Sequence, residues 1–116
     1  LSEAQWRAGL SELRDESHIV IYGNALDVLP KCANSPSVRT VTLMYVDAAS
    51  VRAAMPMLRQ LPALTSLVLD DNRLTQLPEL DMFRALESLS SLQVLNNAVA
   101  DIKWFRAYCA HRLPSL

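Results

Sequence analysis

The sequence contains few of the features that mark several large classes of protein. It has only two glycines, and 51% of its residues are hydrophobic, so it lacks the composition of a disordered segment. Its net charge is −1, which gives no electrostatic reason to expect nucleic acid or an anionic membrane as a partner. No apolar run reaches the length of about eighteen residues that a membrane-spanning helix needs. One folded domain without membrane insertion is expected.

Residues that could form a catalytic or metal centre are also scarce. The two histidines, His18 and His111, lie near opposite ends of the chain, and no triad suggests itself around either. Cys32 and Cys109 lack the paired spacing of a zinc site. We therefore expect no enzymatic activity, no cofactor and no bound metal.

The main feature that is present is a repeat of 25 residues. The positions Leu64, Leu67, Leu69, Asn72, Leu74 and Leu77 recur as Leu89, Leu92, Val94, Asn97, Val99 and Ile102. Two weaker copies precede them, namely Val38, Val41, Leu43, Val46, Ala48 and Val51, and before these Ile19, Ile21, Asn24, Leu26 and Leu29. Such a repeat cannot bury its own apolar face, so successive copies must stack into a solenoid.

Each copy alternates apolar and variable residues over a short stretch, which predicts a half-buried strand. Ile21, Leu43, Leu69 and Val94 occupy the same place in the four copies, at spacings of 22, 26 and 25 residues. These spacings lie within the range known for stacked repeats of this kind. The four residues are expected to point inward from neighbouring parallel strands.

The segments that return from one strand to the next have helical patterns. Ser50 can cap a helix whose apolar face begins at Val51, and Pro56 predicts a break in that helix. A second helical stripe, made of Leu80, Phe83, Leu86 and Leu89, runs through residues 79–90. These segments are expected to form a convex layer behind the strands.

The two ends of the chain have patterns of their own. Residues 1–17 are predicted to form an N-terminal capping helix, because a capping box precedes apolar residues that share one side. Residues 18–116 then hold about four repeats and the start of a fifth, so a truncated fragment of a longer protein is expected. Trp104, Tyr108 and His111 form a stripe that is expected to pack on a missing neighbouring repeat or a capping loop, in preference to forming an interaction ridge.

Strand motifs of LxxLxL type, Leu-Pro pairs at repeat boundaries, helical return segments and the tail WFRAYCAHRLPSL resemble the intracellular leucine-rich repeats. The resemblance is closest to the repeats of phosphatase regulators, dynein light chains, centrosomal proteins and splicing complexes. It implies an α/β solenoid with short parallel strands on the concave face and helices or helical turns on the convex face. Asn24, Asn72 and Asn97 resemble the family's structural asparagine ladder, whose amides satisfy buried backbone groups. Val46 interrupts it, so a distorted turn or a compensating water is expected there.

In proteins of this kind the partner commonly docks on the concave face, at positions that alternate with the buried strand residues. The resemblance therefore implies a binding surface made of Val20, Tyr22, Thr42, Met44, Tyr45, Val68, Asp70, Asp71, Gln93, Leu95 and Asn96. Apolar side chains with an acidic edge suggest a protein or peptide partner that carries a basic residue.

These observations predict a non-catalytic scaffold for protein–protein interaction. Two alternatives stay open: an adaptor in a ribonucleoprotein or RNA-export complex, and a structural or self-association module of a larger cytoskeletal protein. Scattered arginines disfavour direct binding of nucleic acid, and the oligomeric state is left open. Cys32 and Cys109 are about three repeats apart, so no disulfide is expected, and an intracellular, cytoplasmic location is favoured. Cytoskeletal or centrosomal association and the nucleus remain open.

Overall fold

The computed structural model describes residues 17–23, 36–113 and 115–116 of the chain. In chain order the elements are β1 (His18–Tyr22), β2 (Thr40–Met44), α1 (Ala48–Leu58), β3 (Ser66–Asp70), a first 3₁₀ helix (Leu77–Ala85), β4 (Ser91–Leu95), a second 3₁₀ helix (Ala98–Asp101) and α2 (Phe105–Arg112). The predicted capping helix, apart from Ser17, lies outside the described residues, as do Asn24 and Cys32. None of the helices within the described ranges is long and apolar enough to span a membrane.

The four strands form one parallel sheet, in the order in which they occur in the chain. Ile21 pairs with Leu43, Leu43 with Leu69, and Leu69 with Val94. These are the register partners that the repeat spacing predicts. The sheet, together with the helical segments between its strands, confirms the predicted α/β leucine-rich repeat architecture.

The core lies between the sheet and the return segments. Leu43, Leu67 and Leu69 are completely buried, and each contributes about 1.5–3 kcal/mol by the removal of its apolar surface from water. Leu92 and Val94 hold the equivalent places in β4 but are only partly buried. The reason is that, among the strands that the structure describes, β4 pairs with β3 alone.

The helix α1 corrects two details of the sequence-based prediction. Its N-cap is Asp47, whose Oδ1 accepts a hydrogen bond of 2.8 Å from the backbone N–H of Ser50, so Ser50 lies inside the helix instead of capping it. Asp47 has the extended backbone of an N-cap and a stronger acceptor than a serine hydroxyl. Pro56 does not break the helix, which ends at Leu58. Pro56 lies in the last turn, where its missing N–H costs one hydrogen bond and the N–H of Arg59 still reaches the carbonyl of Met55.

The second return segment is a 3₁₀ helix, and its sequence explains why. Leu77, Leu80, Phe83, Leu86 and Leu89 recur every third residue, which is the period of a 3₁₀ helix with three residues per turn. Leu80 and Phe83 are buried. The carboxylate of Glu79 accepts hydrogen bonds of 2.9 Å from the backbone N–H groups of Thr75 and Gln76 and so closes the start of the helix.

The C-terminal stripe divides into packed and exposed residues. The hydroxyl of Tyr108 donates a 2.7 Å hydrogen bond to Asp81, so this aromatic packs on the preceding repeat. Trp104 and His111 are exposed within the described part of the chain. The reason for Trp104 is that α2 begins only at Phe105, and Trp104 precedes it in the left-handed region with φ of 73°. Trp104 is therefore not part of the helical stripe.

Candidate partner-binding face

All four strands end in the same backbone turn. Gly23, Tyr45, Asp71 and Asn96 follow the last residues of β1 to β4 and have φ values of 53°, 59°, 53° and 53°, in the left-handed region. The N–H groups of the first three donate to the carbonyls of Met44, Asp70 and Leu95 at 2.8, 3.0 and 3.0 Å. We call these four residues the turn column. Their side chains stand beside one another along one edge of the sheet because the turn repeats without change.

Buried asparagines hold the chain just beyond the turn column. The Oδ1 of Asn97 accepts hydrogen bonds from the N–H groups of Asn72 and Leu74 at 2.8 and 3.3 Å. Its Nδ2 donates to the carbonyls of Leu69 and Leu95 at 3.2 and 2.7 Å. One amide thus satisfies four backbone groups in two repeats, which is the structural role that the sequence suggested.

The hydrogen bonds of the Asn72 amide differ from those of the Asn97 amide. The preceding repeat has Val46 at the position equivalent to these asparagines. The Nδ2 of Asn72 donates to the carbonyls of Leu43 and Val46 at 3.3 and 2.7 Å, but its buried Oδ1 has no hydrogen-bond partner in the described part of the chain. The backbone that would supply donors, residues 46–48, turns into α1 at Asp47. The asparagine ladder therefore changes its hydrogen-bonding pattern at this repeat.

The outer face of the sheet, opposite the core, is less open than the sequence suggested. Val20 and Thr42, two predicted contact residues, are only 9% and 8% exposed. Neighbouring strands lie about 4.8 Å apart, so side chains at the same register cover one another. The ring of His18 also reaches across, with its Nε2 at 2.9 Å from the Oγ1 of Thr42. Val20 and Thr42 therefore offer little surface to a partner, which corrects the prediction for both.

The remaining predicted contact residues differ in how much of each is exposed to solvent. Val68, Tyr22, Met44 and Asp70 are half-buried, whereas Gln93, Asp71 and Asn96 are exposed. Tyr45 and Leu95 are large hydrophobic residues with 60% and 45% exposure. The accessible part of the face thus lies along the turn column and β4.

The charges at this face are acidic and mostly unpaired. One oxygen of Asp70 accepts a 2.8 Å hydrogen bond from the Nδ2 of Asn96. Among the described residues, neither Asp70 nor Asp71 forms an ion pair with a lysine or arginine. Asp47 is occupied as the cap of α1, and the hydrogen bond from Ser50, followed by the nearby charge of Arg73, lowers its pKa. The face therefore presents apolar and aromatic surface beside two available carboxylates.

The described residues contain no group of three or more histidine, cysteine or acidic side chains that could hold a metal ion. The cysteine they include, Cys109, is a partly buried free thiol whose burial raises its pKa and so disfavours the reactive thiolate. His18 is hydrogen-bonded to Thr42, which is only 8% exposed. The arrangement is suited to binding a macromolecule through its surface.

Comparison with known proteins agrees with this geometry. A family model described as "Leucine-rich repeat" matches residues 23–116. The U2 small nuclear ribonucleoprotein A' of Homo sapiens is 33% identical over 78 residues, which is 67% of this chain and 31% of that protein. The proteins of the same name from Emericella nidulans and Arabidopsis thaliana are each 32% identical, over 72% and 74% of this chain and 36% and 35% of their own lengths. The chain thus spans about a third of the relatives that it matches.

Proposed function

Because the chain belongs to the leucine-rich repeat family, we propose that it is a non-catalytic scaffold that binds a protein or peptide partner on the outer face of its sheet. The observation that carries this proposal is the exposure of Tyr45 and Leu95, at 60% and 45%, at the ends of β2 and β4 along the same edge of the sheet. Large apolar side chains exposed together usually mark an interaction surface. Aromatic residues are also enriched among those that dominate binding energy.

The chemistry of the partner follows from that of the face. Met44, Tyr45 and Leu95 can pack against apolar side chains of a partner. Asp70 and Asp71 supply negative charge beside them. A partner segment with apolar residues and at least one basic residue would complement both parts. Val20 and Thr42 are left out of the proposed contact surface because they are buried.

The proposal is tested by affinity capture from cell extract with the protein carrying Met44→Ser and Leu95→Ala, analysed by quantitative mass spectrometry. We expect partners of the unmodified protein to be lost. Trp104→Ala is the matched control, because it removes an exposed apolar side chain outside this face. Retention of every partner by the double variant would overturn the proposal.

A more specific second candidate is an adaptor in a ribonucleoprotein complex. It is supported by the names of the relatives, which are components of a small nuclear ribonucleoprotein. It would place the protein inside the cell and favour the nucleus over the cytoplasm. Contact with RNA in such a complex would come mainly through the protein partner, since the exposed arginines Arg39, Arg52, Arg59, Arg73 and Arg84 are distributed over several segments.

Nuclear and cytoplasmic extracts captured in parallel distinguish this candidate from a purely cytoplasmic scaffold. We expect the unmodified protein to capture RNA-containing complexes from the nuclear extract. The variant with Met44→Ser and Leu95→Ala should lose the protein partner and the RNA together. Direct RNA binding by the purified protein, with a steep salt dependence that disappears when the arginines are neutralised, would contradict an adaptor that acts through protein contacts.

A further inference from the structure

Tyr45 is unusually accessible from one side. It stands in the turn column between Gly23 and Asp71, and Gly23 has no side chain to cover it. A Cβ added at Gly23 would have the backbone oxygen of Tyr45 at 4.0 Å and no closer heavy atom among the residues that the structure describes. The side chain of Tyr45 is 60% exposed, and its neighbour in the turn column on the β1 side contributes no side chain.

Asp71 stands beside Tyr45 on its other side. The two residues occupy the same position in consecutive repeats, and both follow strands that are paired directly with each other. Adjacent strands lie about 4.8 Å apart, so the phenol ring and the carboxylate can contact one group at the same time. Asp70 lies one residue earlier, and Asn96 already holds one of its oxygens.

Resting on the partner-binding function proposed above, we propose that Tyr45 and Asp71 form an anchor for an arginine side chain of the partner. The guanidinium plane would stack on the Tyr45 ring, and its N–H groups would donate to the carboxylate of Asp71. Asp70 adds a second negative charge close by. Among the described residues no basic side chain forms an ion pair with either carboxylate, so the anchor is free to accept one from outside.

The pairing of an aromatic face with a carboxylate selects arginine over lysine. A guanidinium is planar and weakly hydrated, so it can stack on a ring and donate from its edge together. An ammonium group is compact and strongly hydrated, and it gains less from the ring. Carboxylates alone would attract either cation, so the exposed ring of Tyr45 is what makes the expected recognition specific.

The anchor is tested by NMR titration of the isotopically labelled protein with N-acetyl-arginine amide and, in parallel, N-acetyl-lysine amide. We expect saturable shifts at residues 44–45 and 70–71, with affinity for the arginine probe about two- to fivefold higher. Tyr45→Asn and Asp71→Asn should each weaken arginine binding by about the same factor. Both variants place asparagine, which tolerates the left-handed region, so the turn is preserved.

Matched controls are Trp104→Ala and Asp101→Asn, which remove an exposed aromatic ring and an exposed carboxylate elsewhere. These controls should leave the titration unchanged. Equal binding of the two probes, or arginine shifts that persist in both Tyr45→Asn and Asp71→Asn, would overturn the anchor.

The outcome is separable from that of the proposed function. If capture of a partner is lost with Met44→Ser and Leu95→Ala but survives Tyr45→Asn and Asp71→Asn, the scaffold stands and the arginine anchor is wrong. If all four substitutions leave the captured partners unchanged, both are wrong. Loss of a captured partner in both sets, together with arginine-selective shifts, supports both.

Discussion

At the scale of single residues, the same side chain serves the fold differently in consecutive repeats. Asn97 uses both its oxygen and its nitrogen on four backbone groups, whereas Asn72 uses only its nitrogen and leaves a buried oxygen unpaired. The difference comes from the preceding repeat, where the chain turns into α1 at Asp47. A buried polar atom without a partner costs about 1–3 kcal/mol, so the two asparagines contribute unequally to stability.

Asn97→Ala is therefore expected to be more damaging than Asn72→Ala. Loss of the Asn97 amide leaves two buried N–H groups and two carbonyls to find other partners, and should lower the free energy of unfolding by about 2–4 kcal/mol. Asn72→Ala should cost about 1–2 kcal/mol, since it frees two carbonyls and removes an unpaired oxygen. Chemical denaturation measures both. Gln60→Ala, at an exposed position outside the turn column, is the control, and equal losses at Asn72 and Asn97 would contradict this assignment.

The turn column makes a second prediction about single residues. Tyr45 has φ of 59°, where a residue with a Cβ is strained by about 1–2 kcal/mol, while asparagine is better tolerated. Tyr45→Asn should raise the free energy of unfolding by about 0.5–1 kcal/mol in thermal or chemical denaturation. Gly23→Ala should do the reverse, because it introduces the same strain at φ of 53°. Destabilisation by Tyr45→Asn would show that the ring packs more than its 60% exposure indicates.

At the scale of elements, Asp81 joins α2 to the first 3₁₀ helix. Its carboxylate accepts hydrogen bonds from the Tyr108 hydroxyl at 2.7 Å and from Arg112, whose Nη2 lies 2.9 Å from Oδ2. The bond from Arg112, followed by that from Tyr108, lowers the pKa of Asp81. The same contacts raise the pKa of Tyr108 and of Arg112. This cluster holds the last helix against the preceding repeat.

The lowered pKa of Asp81 predicts how stability depends on pH. The pKa of Asp81 is lower in the folded than in the unfolded state, so its contribution is complete above the unfolded value of about 3.9 and is lost as pH falls through the folded value. Asp81→Asn should therefore flatten the fall of stability with acid, as measured by thermal denaturation at a series of pH values. Asp101→Asn, at an exposed carboxylate, is the control. An unchanged acid profile for Asp81→Asn would show that the cluster does not hold α2.

Two details of the helical elements, the helix type and the N-cap residue, were not predicted by the sequence patterns. The apolar stripe of residues 79–90 indicated a helix, and its spacing of three, which continues back to Leu77, fits a 3₁₀ helix better than an α-helix. In α1 the N-cap depended on whether Asp47 or Ser50, three residues apart, took the extended backbone, and Asp47 did so. The choice of N-cap depends on how the chain leaves the preceding strand or turn, which local periodicity does not encode.

At the scale of the whole molecule, the stacked repeats share one continuous core that runs from Ile19 to Leu113. Each repeat contributes inward residues that contact the next, so the stability of any one strand depends on its neighbours. The strands in the middle of the sheet are covered on both sides, whereas β4, among the strands that the structure describes, pairs with β3 alone. An inward residue of β3 therefore contributes more to the free energy of unfolding than the equivalent residue of β4.

Leu69→Ala and Leu92→Ala test this difference with the same chemical change. Leu69 is completely buried, so its truncation should lower the free energy of unfolding by about 2–5 kcal/mol. Leu92 is half-buried, so its truncation should lower the same free energy by about 1–2 kcal/mol. Both losses should appear as a shift of one cooperative unfolding transition, followed by circular dichroism in denaturant. Equal losses, or a separate transition for the β4 repeat, would contradict a shared core.

The sequence by itself determined the period of the repeat, the parallel sheet, its register and the role of Asn72 and Asn97. These follow from local spacing, because apolar residues at a fixed interval have only one way to share a core when the copies stack. Tertiary structure alone decided that Val20 and Thr42 are covered and that Trp104 is exposed. It also decided that Tyr45 stands between Gly23 and Asp71 in the turn column. Exposure and side-by-side placement depend on residues more than twenty positions away in the chain, which only the stacking of repeats brings together.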